Sequence, residues 1–375
     1  MSYCKVRRKS GVELKNRLEQ IGEYLLKIPF SVFSLAIITL SILKTGIRGI
    51  QPWADLNAVD NFPLLSEDYS KNSLGLLVIS KLFGINSKVS YFTLNLALLG
   101  IVSIFIAFLA THYLSRFTSR IIVLCTFLSP AYYVLLGNIG RHDLLTIVGL
   151  STIILGKTLV IRFMGLFLSL AGSPEHSISV FLLLLVISST FKRLSDFFFY
   201  LNCLLFSLIY LTSISRIFGS ISISSNRFST LLFDSEIQRR AFINFIRNAP
   251  LELYSYFGFY ILGLAFCLIH LSGRRLYGFL IVTLLPAIVN IFLLDKTRDY
   301  VVALFPVWIY VTRIYFWSMF CEFFDDEKKT RQRLCISILL IIAIVFPSVE
   351  LTFEGGVRSP YSWIIEKIPI SFENQ

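Results

Sequence analysis

The sequence predicts an all-α, polytopic membrane protein with short broken helices and with amphipathic interfacial helices on its outer face. Three observations carry that expectation. The 375 residues are 55% hydrophobic and only 15% charged, whereas a soluble domain carries about a quarter of its residues as charge. Apolar runs that approach the roughly 20 residues of a spanning helix recur along the whole chain. Lys and Arg fall between those runs in one alternating set, as membrane orientation requires.

In chain order, the basic segment 1–28 holds Lys5, Arg7, Arg8, Lys9, Lys15 and Arg17 and is expected in the cytoplasm. Its part from Val12 to Lys27 is amphipathic, and the span that follows is too long for the apolar region of a cleavable signal. Spans are expected at 29–47, 91–113, 121–138, 144–160, 163–173, 177–191, 197–218, 251–271, 276–294, 300–320 and 334–349, roughly eleven in all. The short 163–173 run can form a re-entrant piece with 177–191, shielded by protein or a water-filled cavity. Alternation then puts Arg116 and Arg120, Lys157 and Arg162, Lys192 and Arg193, Arg274 and Arg275, and the run from Lys328 to Arg333 on the cytoplasmic side.

The other face carries two long loops, 48–90 and 219–250, and the tail 350–375. Within the first, NSLGLLVISKLFG reads as a helix lying flat on the membrane, with Leu74, Leu77, Val78 and Leu82 pointing down. Within the second, SEIQRRAFINFIRNAP reads as another interfacial helix, carrying Arg239, Arg240 and Arg247. The chain shows no internal repeat and no linker, so residues 1–375 form a single transmembrane domain.

Several functions are disfavoured. The net charge of +12 forms no contiguous basic face, which argues against nucleic acid. Cysteines at 4, 125, 203, 267, 321 and 335 make no CxxC pair, so neither a disulfide framework nor a cysteine zinc site is supported. LGKTL at 155–159 lacks the earlier glycine of a phosphate loop, because Ser151 stands there. Neither a GxSxG elbow nor an HExxH helix occurs.

What remains is charge gathered on the outer face, in short loops at the ends of spans, where ionisable groups face a polar cavity or one another. Arg141, His142 and Asp143 interrupt the apolar run YYVLLGNIGRHDLLTIVGL. Asp143 can cap the following helix, or it can orient His142 beside a cation that meets a phosphate. In SPEHS, Pro174 and Glu175 suit a helix start; alternatively Glu175 and His176 bind sugar hydroxyls. In DKTRDY, Asp295, Arg298 and Asp299 can form a local salt bridge, or Arg298 can present its fork of donors to a phosphate. Asp55 and Asp60 are common loop residues, but Trp53 beside Asp55 suits a sugar that stacks on the indole while the carboxylate binds a hydroxyl.

With these features in order, the chain resembles the GT-C superfamily of integral-membrane glycosyltransferases, which use lipid-phosphate sugars. The resemblance rests on the basic N-terminus and first span, the acidic outer loop WADLNAVD, the amphipathic NSLGLLVISKLFG, the short broken spans and the outer groups GRHD, PEH and DKTRD. It covers most of the chain as topology, and no short motif is diagnostic. The acidic residue of the first outer loop is the family's catalytic position, which implies Asp55 or Asp60 here; LNAV separates them, unlike the tight acidic pair of many members. A divalent cation such as Mg or Mn is compatible with the resemblance but not required by it.

The reaction implied is inverting transfer of a sugar from polyprenyl phosphate to a lipid-linked or glycan acceptor, in synthesis of a cell-envelope polysaccharide or glycolipid. Arg141, His142, Arg298 and Arg240 would bind the donor phosphate. Trp53, Asp143, Glu175, His176 and Asp295 would contact substrate, with Asp55 or Asp60 as base. The expected location is the inner membrane of a cell with the site outside the cytoplasm; the lack of an N-x-[ST] sequon favours a bacterial envelope. Two rivals stand beside this reading. An O-antigen-type polymerase or ligase would use the arginines of 219–250, and a transporter or flippase of lipid-linked glycans would show repeated halves and mid-membrane charge.

Overall fold

The computed structural model of the chain describes residues 2–47, 74–217, 235–258, 260–291, 296–316, 328–346, 349–351 and 357–358. These form fifteen α-helices, one π-helical turn and a single two-residue strand pair, so the protein is all-helical as the composition predicts. Trp53, Asp55, Asp60, Asp234 and Asp295 lie outside the described residues.

The helices are α1 (Ser2–Lys27), α2 (Phe30–Thr45), α3 (Leu74–Leu82), α4 (Lys88–Tyr113), α5 (Arg116–Phe127), α6 (Pro130–Gly137), α7 (Asp143–Leu155), α8 (Leu159–Gly172), α9 (Pro174–Thr190) and α10 (Leu194–Ile217). Then come α11 (Ser235–Phe257), α12 (Tyr260–His270), α13 (Gly273–Asn290), α14 (Lys296–Val311) and α15 (Lys328–Val345). The π-turn Thr312–Phe316 extends α14, and Glu350–Leu351 pairs antiparallel with Val357–Arg358.

Serine and threonine caps chop the apolar sequence into these short pieces. Ser87, Ser115, Ser129, Thr158 and Ser173 each accept a hydrogen bond from a backbone N–H in the first turn of the helix that follows. A cap of this kind satisfies one of the donors that a helix N-terminus leaves open. Pro130 and Pro174 occupy first positions, where the missing N–H costs nothing. The run 121–138, expected as one span, is therefore two helices, α5 and α6, bent by 47° at Ser129–Pro130.

Span lengths follow from this punctuation. Among the described residues Val89–Tyr113 and Leu194–Ile214 are long and apolar enough to cross a membrane, and up to five such units exist if each bent helix pair counts as one. α7, α8 and α9 are apolar but run only 13, 14 and 17 residues, short of the roughly 20 that a bilayer core requires. The short 163–173 run makes up most of a 14-residue helix, α8, which packs along α7 through glycines. A methyl on Gly165 would meet Gly149 O at 2.6 Å, and one on Gly172 would meet Thr146 N at 2.5 Å. Small residues let two backbones approach without any hydrophobic drive between them.

Glycines set the end of one candidate interfacial helix and the seating of the other. α11 runs unbroken through Pro250 to Phe257, and the chain turns only at Gly258, whose φ of +49° a glycine adopts without strain. In α3 the protein-facing side is Leu76, Leu77 and Ser80, with Val78 and Leu82 exposed, because Gly75 seats the helix against Ala171 of α8.

The core centres on α14, which touches α6, α7, α9, α11 and α13 and is buried continuously from Tyr300 to Thr312. All of α6 and α7 is buried too. Cations borrowed from neighbouring helices close several C-termini. Arg120 donates to Leu25 O (2.9 Å) and Ile28 O (2.5 Å) past the end of α1. Arg313 donates to Ile154 O of α7, and Arg274 to Ser189 O of α9. Lys44 donates to Ala343 O (2.5 Å) and Phe346 O (2.7 Å) at the end of α15. Each such contact matches a positive charge to the negative end of a helix dipole.

Candidate functional site

Three helix N-termini meet at one end of the buried core. α7 starts at Asp143, α9 at Pro174 and α14 at Lys296, and each bears a first-turn carboxylate: Asp143, Glu175 and Asp299 respectively. Acids are favoured there by the positive dipole end. The approach to α7 is a tight loop in which Gly140 has φ +106° and lies against Tyr91 of α4, whose hydroxyl donates to Gly140 O at 2.8 Å. That contact pins Arg141 and His142 just ahead of the helix.

The side chains interlock. Arg298 Nε lies 3.1 Å from Asp143 Oδ2, and its Nη2 lies 3.7 Å from Asp299 Oδ1. His176 Nε2 is 3.3 Å from the same Asp299 oxygen. His142 Nε2 is 3.6 Å from Asp143 Oδ1, and the two imidazoles stack with centroids 6.0 Å apart. Arg298 and Asp143 are both buried, at 6% and 1% exposed. The Arg298–Asp143 contact is a charge contact: among the described residues neither Asp143 oxygen has a hydrogen-bond partner.

These groups stand just outside the apolar runs, and each shapes the others' charge. Burial pushes the His142 pKa down to about 3, so this imidazole is neutral at ordinary pH. Burial alone would raise the Asp143 carboxyl, but the positive charges around it, Arg298 foremost, hold it below the usual carboxylate range. For His176, burial works downward and is outweighed by Asp299 and Asp143, so its pKa is raised. Asp299 is held low by His176 and Arg298 against the same burial.

Of the residues singled out in the sequence, the structure brings together Arg141, His142, Asp143, His176 and Arg298. Glu175 shares the first turn of α9 with His176 and is partly exposed. Arg240 is not part of this group. Its guanidinium makes an exposed 2.9 Å ion pair with Glu236, one turn back on α11.

Two partners were not picked out as site residues in the sequence. Asp299 is the carboxylate that holds His176. Glu252 of α11 is 2% exposed and accepts from Tyr256 OH at 3.3 Å. Tyr256 in turn stacks on Tyr300 at 4.4 Å, one residue past Asp299. A carboxylate at the start of the apolar run 251–271 was a usable signal for Glu252, since such groups are costly in an apolar setting. Beyond Tyr256 lies a narrow apolar cleft between α6, α12 and α14, lined by Pro130, Ala131, Tyr260, Leu304 and Trp308.

The arrangement offers three kinds of chemistry. An imidazole held by a carboxylate can accept and return a proton. Guanidinium groups at helix N-termini can neutralise a phosphate. Two imidazoles and a carboxylate can ligate a metal ion. No protein-family model, no characterised protein and no solved structure matches the chain.

Proposed function

We propose that the protein is an integral-membrane glycosyltransferase that moves a sugar from a polyprenyl-phosphate donor to a lipid-linked or glycan acceptor. One observation carries the reading: three helix N-termini and the groups Arg141, His142, Asp143, His176, Arg298 and Asp299 converge at one end of a bundle of apolar helices. In this reading the roughly eleven apolar segments of the sequence cross the inner membrane of a cell. The basic N-terminus lies in the cytoplasm, and the convergence faces the opposite side. A lipid tail would then lie in the bilayer with its phosphate at the cluster.

The roles of the two arginines differ. Arg298 is already engaged by Asp143 and Asp299, so it sets the shape and potential of the site. Arg141 stands at the loop with a buried Nε that has no hydrogen-bond partner among the described residues. It is the better first contact for the phosphate, whose charge grows as the sugar leaves. His176, steadied by Asp299, orients an acceptor or donor hydroxyl. Asp55 or Asp60 takes the acceptor proton, attack comes from the opposite face of the sugar, and the anomeric centre inverts.

The test is transfer of labelled sugar from polyprenyl phosphate by the full chain in lipid nanodiscs. Arg141→Ala, Asp55→Asn and Asp60→Asn are compared with the wild type, each checked for normal insertion. Loss of turnover by on the order of 100-fold is expected for Arg141→Ala and for the one aspartate that acts as base. Wild-type turnover in all three variants would sink the reading. Activity only with a lipid-diphosphate glycan would instead select the polymerase or ligase rival.

A further inference from the structure

We propose that His142, Asp143 and His176 form a binding site for a zinc-class divalent ion, with its open coordination position beside Arg141 and Arg298. The three residues' ligand atoms lie within 4.8 Å of one another, and Asp143 is 1% exposed.

Two features separate this group from an ordinary ion pair. Among the described residues Asp143 has no hydrogen-bond donor on either carboxylate oxygen, although it is buried. Its Oδ1 stands 3.6 Å from His142 Nε2, which is too long for a hydrogen bond. Two atoms bound to one tetrahedral ion at about 2.0 Å stand about 3.3 Å apart, close to that separation. The second feature is His176. Asp299 engages its Nε2 at 3.3 Å, while its buried Nδ1 has no hydrogen-bond partner among the described residues. A carboxylate on one ring nitrogen with the other left open is the support that metal-binding histidines use, since it fixes the tautomer and raises ligand basicity.

Arg298 supplies the remaining support. It takes Asp143 Oδ2 and leaves Oδ1 on the histidine side, and its contact with Asp299 links the two supports. The ligand set selects the ion. Mg²⁺ and Ca²⁺ prefer oxygen throughout, whereas imidazole suits Zn²⁺. Three protein ligands leave a fourth position open. With two guanidinium groups adjacent, an anion such as a phosphate oxygen or hydroxide suits that position.

The site can be tested without any donor or acceptor. Full-length protein, freed of any histidine tag, is dialysed against trace zinc, and bound metal is measured by mass spectrometry. About one zinc per chain is expected in the wild type, falling at least ~10-fold in His142→Gln/His176→Gln. X-ray absorption on the wild type covers the case in which the double variant does not fold. Nitrogen and oxygen neighbours at about 2.0 Å, with imidazole scattering, are expected. Equal zinc in wild type and double variant, or an absorption spectrum of water and sulfur ligands, means an adventitious ion only and overturns the inference. Because metal content is read in the absence of substrate, this outcome and that of the transfer assay are independent.

Discussion

Arg298 joins two carboxylates that would otherwise face each other in a buried space. Asp143 is 1% exposed, and Asp299 shares the guanidinium from the next residue along. Removing one partner of a buried ion pair strands the rest, at a cost of about 3–5 kcal/mol. Arg298→Gln should therefore lower the thermal midpoint in detergent markedly. Arg298→Gln/Asp143→Asn should regain part of the loss, because it also removes the stranded charge. A double variant no more stable than the single would contradict the coupling. Arg240→Gln is the contrasting case: its pair with Glu236 is exposed and one turn apart, so midpoint and donor binding should both stay as in the wild type.

At this scale the sequence was legible in part. Arg141-His142-Asp143 and the His176 and Arg298 groups stand out because ionisable residues in apolar text are costly wherever they fall. Their mutual contacts could not be read, since residues 143, 176 and 298 meet only through the packing of α7, α9 and α14. Arg240 looked equivalent to Arg298 as text, but Glu236 four residues earlier answers it locally. Arg298 also has acids close in sequence, Asp295 and Asp299, so spacing alone does not separate the two arginines; burial does, since Arg298 is 6% exposed and Arg240 lies at the surface.

Helix ends show the complementary lesson. Apolar periodicity locates most elements: the span expected at 91–113 falls within α4, and 197–217 of the span expected at 197–218 lies in α10. Hydropathy is blind to the breaks, because a serine inside an apolar run lowers the mean very little. Ser129→Ala/Pro130→Ala should remove the cap and the preset turn between α5 and α6, costing about 1 kcal/mol for the cap alone. The α7–α8 contact is less forgiving. Gly165→Leu places a side chain where Gly149 O and Ile153 N already stand. Overpacking of about 1–3 kcal/mol is expected, read as a lower midpoint and easier proteolysis between α8 and α9. An unchanged midpoint would mean that the two backbones are not in close approach.

For the molecule as a whole, the two ends of α9 distinguish the faces. His176 and its cluster occupy one end, and Lys192, Arg193 and the Arg274–Ser189 contact occupy the other. If the helix crosses the bilayer, Glu175→Cys and Lys192→Cys in a cysteine-free background should react with an impermeant maleimide from opposite sides. Labelling of both from one side would place α9 within a single leaflet and would remove the orientation assumed for sugar transfer. α9 has 17 residues, or about 25 Å of helix, somewhat less than a typical hydrocarbon core. The surrounding bilayer should therefore be thin at this point, as mismatch requires.

Lys44 also bears on how the chain is made. Its ammonium is 3% exposed and bonds carbonyls 299 and 302 residues further on. During synthesis α2 emerges among the first elements, and its cation must wait for α15 before those acceptors exist. Until then the charge has only transient company, from water, headgroups or the insertion machinery. Assembly is thus closed by α15, which seals a vacancy left open since α2 was made. A ribosome stalled before residue 343 should hold a chain still engaged by membrane chaperones, however many of its earlier helices are already in place.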